Sequence, residues 1–153
     1  MARATTFVFV PSTAPPGKHS LVLRAIDFDA GMVEIANTGS EAVDLAGHWL
    51  GNHLSYMPTP SETIAPGASL MVTLDGLRIE ASDGELALYR STQNFSDPAK
   101  IIRYVQWGSS GQHRSGIAVI AGIWTDGDFV SGGGANLRSS GDDPITAGDW
   151  TSG

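Results

Sequence analysis

Apolar residues along the chain come in short runs: Phe7–Val10, Leu21–Phe28, Met32–Ala36, Val43–Leu50, Leu70–Leu74, Leu86–Tyr89 and Ile101–Trp107. None is long enough for an ordinary helix. Turn residues lie between them: Pro15-Pro16-Gly17, Asp29-Ala30-Gly31, Asn37-Thr38-Gly39, Pro66-Gly67, Asp75-Gly76, Asp83-Gly84 and Asp97-Pro98. These supply the positive φ of glycine and the fixed φ of proline that tight turns require. Within the runs the spacing is two. Leu70, Val72 and Leu74 alternate with Ser69, Met71 and Thr73, and Ile101, Val105 and Trp107 share a face that Arg103 interrupts. Such alternation predicts antiparallel strands with one face buried and one wetted. The fold expected is therefore all-β, an immunoglobulin-like antiparallel sandwich of about seven to nine strands with little helix.

Beyond Trp107 the pattern changes. Residues 117–124, Ile-Ala-Val-Ile-Ala-Gly-Ile-Trp, fit a buried strand or a short buried helix, and their β-branched content favours the strand. Residues 125–153 read as an ordered Gly/Asp-rich loop, then a last short strand around Ile145 with Trp150 as an anchor and fraying at 151–153. Gly132-Gly133-Gly134 is expected to guard a sheet edge, since an uncovered edge invites strand addition or self-association. The organisation expected is one domain: an extension or first strand over 1–20, a core over 21–107, and a tail over 108–153 packed on that core.

Composition narrows the functional classes. Sixteen acidic against nine basic residues give a net charge of −7, which argues against nucleic acid, whose binding rests on clustered Lys and Arg. The chain has no cysteine, so disulfides, thiolate metal sites and cysteine nucleophiles are excluded. No stretch approaches the roughly 18 apolar residues of a membrane span, and Phe7–Val10 is shorter than a signal-peptide core.

Candidate chemistry is sparse. The histidines His19, His48, His53 and His113 lack zinc-ligand spacing; His48 and His53, five apart, would face opposite sides of a regular strand. A Ser/His/Asp set can be drawn around His113, but there is no Gly-x-Ser-x-Gly elbow, and no catalytic residue is assigned. Gly132-Gly133-Gly134 lacks the Lys and Ser/Thr of a phosphate loop. The carboxylates Asp126, Asp128, Asp142, Asp143 and Asp149 are the candidates for calcium, against solvated acidic loops, which are favoured because no EF-hand spacing is present. Trp49, Trp107 and Trp124 lie in apolar runs and read as core; Tyr56 and Trp150, in loops, are the candidates for an exposed aromatic platform that would bind carbohydrate. No cofactor is expected.

Six segments in order resemble the lamin-tail domain in its bacterial form. They are residues 21–28 (LVLRAIDF), 33–39 (VEIANTG), 43–50 (VDLAGHWL), 64–70 (IAPGASL), 83–89 (DGELALY) and 104–108 (YVQWG), a match that runs from about Leu21 to Trp107. His48 departs from the pattern, standing where that family often has a large aromatic, a packing role that Trp49 can share. The resemblance implies an immunoglobulin-like sandwich used as a non-catalytic interaction or anchoring module on an exported or surface protein. Its partner would be a protein or another cell-surface component, with a polysaccharide as the alternative through carbohydrate-binding or calcium-dependent adhesion.

Overall fold

The computed structural model describes residues 19–90 and 94–153; the Phe7–Val10 run lies outside them. Turn chemistry sets the strand limits. β1 (Leu21–Asp27) and β2 (Met32–Asn37) are joined where Asp27 Oδ1 accepts from the Ala30 N–H at 3.0 Å and Gly31 takes a φ of 67°. The run 43–50, expected as one strand, is two: β3 (Val43–Asp44) and β4 (Trp49–Asn52). Between them Asp44 Oδ1 caps the Ala46 N–H and Gly47 sits at φ 84°, so the chain turns and the halves enter different sheets.

The remaining strands are β5 (Ser55–Pro58), β6 (Thr63–Ile64), β7 (Ser69–Thr73), β8 (Gly84–Tyr89), β9 (Ile101–Trp107), β10 (Asn136–Ser139) and β11 (Trp150–Ser152). They form antiparallel sheets in the orders β11-β10-β1-β2-β7, β5-β4-β8-β9 and the small pair β3-β6. The architecture is an all-β sandwich, as the alternation and turns predict, with eleven strands among the described residues in place of seven to nine. Leu21, Leu23, Val33 and Ile35 from the larger sheet and Leu50, Leu86, Leu88 and Val105 from the smaller belong to one buried core. Each such side chain contributes about 1.5–3 kcal/mol by leaving water.

Alternation holds on β7, where Val72 is buried and Ser69, Met71 and Thr73 are exposed. On β9 it fails. All seven residues are buried, because a helix, α1 (Ser115–Ile120), packs on the strand and the segment around Val130 runs beside it. The strand favoured for 117–124 is thus corrected to a helix over 115–120. Gly122 ends that helix at φ 78°: its N–H bonds the Val119 carbonyl at 3.0 Å and the Ile123 N–H bonds the Ala118 carbonyl at 3.0 Å, a Schellman C-cap.

The tail is part of the sheet. β10 pairs with β1, and β11 pairs with β10. The last strand is therefore Trp150–Ser152, anchored by the buried Trp150 and running into 151–153, where fraying was expected, and there is no strand around Ile145. Asp149 Oδ2 accepts from both the Ile145 and Thr146 N–H groups (3.0 and 3.1 Å) and bends the chain there into a single 3₁₀ turn. No helix among the described residues is long and apolar enough to cross a membrane.

Candidate functional site

Two main sheets present four edges, and these differ. β9 is covered: Gly108 N–H donates to Val130 O at 2.8 Å and Val130 N–H to Gln106 O at 3.0 Å. β5 carries Pro58, which has no N–H to offer, and β11 is three residues long. β7 is a five-residue edge, Ser-Leu-Met-Val-Thr, without charge or proline. The bonds Asn37 N–H to Ala68 O and Leu74 N–H to Gly31 O show that the even-numbered residues of this strand face β2. Backbone groups of Ser69, Met71 and Thr73 therefore point the other way, and no described residue pairs with them. Gly132–Gly134 guards none of these edges. It crosses the β7–β8 connection, with the Gly133 N–H on Ala81 O at 2.6 Å.

A polar corner lies where the β4–β5 hairpin meets β8, β9 and the start of α1. Glu85, 1% exposed, accepts from Tyr104 Oη at 2.8 Å, the Arg114 N–H at 2.8 Å and the His53 N–H at 3.0 Å. Three donors stabilise the carboxylate where burial alone would be costly. Burial, then the Glu85 charge and hydrogen bond, push the Tyr104 hydroxyl far above the ordinary tyrosine range, so it stays a donor. His53 holds φ 56°, a left-handed conformation unusual for a side-chain-bearing residue, and its ring meets His113 edge-on at 5.1 Å. Beside this corner opens a cavity of about 320 Å³ lined by Asn52, His53, Ser55, Arg78, Glu80 and Asp83.

On the far side of β9, Arg103 is buried and donates to Leu21 O (2.7 Å), His19 O (2.5 Å), Asp142 O (3.3 Å) and Asp143 Oδ1 (2.6 Å). Burial lowers its pKa, and the hydrogen bond and charge of Asp143 oppose that shift.

The candidate residues are dispersed. Asp143 serves Arg103, Asp149 caps its own turn, and Asp128 Oδ2 accepts from the Ala147 N–H at 2.7 Å. Asp126 is exposed, and Asp142 lies near Arg103 through its carbonyl. Among the described residues no set of three or more His, Cys, Asp or Glu is placed to hold a metal. The aromatic platform is corrected. Trp150 is buried at 5% exposure in the core, as are Trp107 and Trp124, while Trp49 is half-buried. Tyr56 is half-buried with Phe95 stacked on it at 3.7 Å and Gly51 packed so close that a Cβ there would meet its ring at 2.8 Å; its hydroxyl accepts from Arg114. Neither ring offers a free face. Sequence reasoning missed Asn52 and Glu85, which carry no local signal, since their partners lie 19 to 32 residues away. Comparisons with family models, with curated proteins and with solved structures returned no match.

Proposed function

We propose that this chain is a non-catalytic interaction or anchoring module of lamin-tail type, and that it takes an extended protein segment along β7. The observation that carries this is the β7 edge, whose Ser69, Met71 and Thr73 backbone groups face outward on an uncharged strand with no partner among the described residues, while the β9 edge is covered by Val130. Strand addition uses such an edge: main-chain hydrogen bonds give affinity and alternate side chains give selectivity. The buried ionisable groups favour the same reading, because Glu85 and Arg103 are held by scaffold partners in roles that rigidify the sandwich. Placement on an exported or surface protein follows from the lamin-tail resemblance.

Selection of random displayed peptides against the immobilised chain tests this. The expected winners are extended, alternating sequences that protect the Ser69, Met71 and Thr73 amides from hydrogen exchange. Met71→Pro should abolish their binding, since position 71 loses its outward donor while the β2 ladder, made by Leu70 and Val72, is kept. Peptides that bind Met71→Pro equally well, or that protect another segment, would overturn the proposal.

A further inference from the structure

The cavity beside the polar corner has an unmatched acceptor. Asn52 is 4% exposed; its Nδ2 donates to the Arg78 carbonyl, which fixes the amide orientation, and its Oδ1 has no donor among the described residues. The neighbouring His53 Nδ1 is likewise buried and unpartnered, 3.9 Å from Glu85 Oε2. A buried amide oxygen without a donor is destabilising, and Asn52 lines a cavity open to solvent. The other groups around that cavity are also mainly acceptors: the carboxylates of Glu80 and Asp83 and the hydroxyl of Ser55, with the Glu85 carboxylate directly behind His53. The one cation in the lining, Arg78, is 90% exposed and already lies 3.2 Å from Glu80, which places it at the rim.

We propose that this cavity binds an organic cation bearing N–H donors, a primary ammonium or a guanidinium, with Asn52 Oδ1, Glu80 and Asp83 as its acceptors. An anion would meet carboxylates. A metal lacks its ligand set among the described residues. A sugar would want an aromatic face, and among the described residues the lining includes no Trp, Tyr or Phe. The site is separate from the β7 edge and stands or falls independently of strand addition there. The same head group can come from a free amine or from a Lys or Arg side chain of a protein.

Amide-resolved NMR titration of the full chain decides it. The probes are n-butylammonium, n-butylguanidinium and the capped peptide Gly-Gly-Lys-Gly-Gly, against n-butanol and methyl glucoside as neutral controls. The cations should give saturable shifts centred on residues 51–55 and 78–84. Glu80→Gln with Asp83→Asn, both exposed positions that leave the core untouched, should weaken binding about tenfold or more, the loss of charge-assisted hydrogen bonds. Tighter binding of the peptide than of n-butylammonium identifies a protein side chain as the source; equal binding identifies a free amine. Shifts that are absent, that the neutral controls reproduce, or that survive in the double variant would overturn the proposal.

Discussion

Arg103 Nη1 lies 2.6 Å from Asp143 Oδ1, joining β9 of one sheet to the loop between β10 and β11 of the other. The same guanidinium reaches the Leu21 and His19 carbonyls at the start of β1. One side chain thus ties both sheets and the tail. Arg103→Ala leaves three carbonyls and a carboxylate without their donor, and the expected loss is about 3–5 kcal/mol in urea denaturation. Asp143→Ala, whose partner keeps its carbonyl acceptors, should cost less, about 1–3 kcal/mol. The reverse ranking would show that the charge of Asp143, more than the carbonyl acceptors, holds the buried guanidinium in place.

Acid should weaken the same junction. Burial, then the charges of Arg90, Arg103 and His48, lower the His19 pKa from 6.5 to about 4, and His19 Nδ1 accepts from the Leu21 N–H at 3.2 Å, which only the neutral ring can do. The unfolded chain therefore binds the proton first. Stability from this group is complete above pH 6.5 and declines as pH falls toward 4. His19→Gln should flatten that part of the stability profile measured by denaturant midpoint; an unchanged slope would place the titration elsewhere.

Tyr104→Phe removes one of the three donors to the buried Glu85 carboxylate. A loss of about 1–3 kcal/mol is expected, for an acceptor left short of a partner. Because burial and Glu85 raise the Tyr104 pKa, alkaline titration followed by tyrosinate absorbance should show a residue that stays protonated until the protein unfolds. Its ionisation in the ordinary tyrosine range would contradict the burial.

The β9 edge should become adhesive once uncovered. Val130→Pro deletes the N–H that bonds Gln106 O, and light scattering should then show a larger oligomer fraction; Met71→Lys, which charges β7, should lower any association of the unmodified chain.

Strand type and many turns were legible locally, because a period of two and residues such as Gly31 act within a few positions. The helix at 115–120 was not, although Gly122 was its stop signal, since a short apolar run fits either element.

What the sequence determined by itself is the all-β class, the one-sided burial of β7 and the absence of cysteine chemistry, each a matter of local pattern or composition. Only the tertiary structure decided that β9 is buried on both faces, that the tail completes a sheet, that Trp150 is a core residue, and that Asn52, Glu80 and Asp83 share a cavity beside Glu85. Those outcomes depend on which strands become neighbours, and hydrogen bonds such as His53 to Glu85, 32 residues apart, or Arg103 to His19, 84 apart, leave no periodic trace in the chain that makes them.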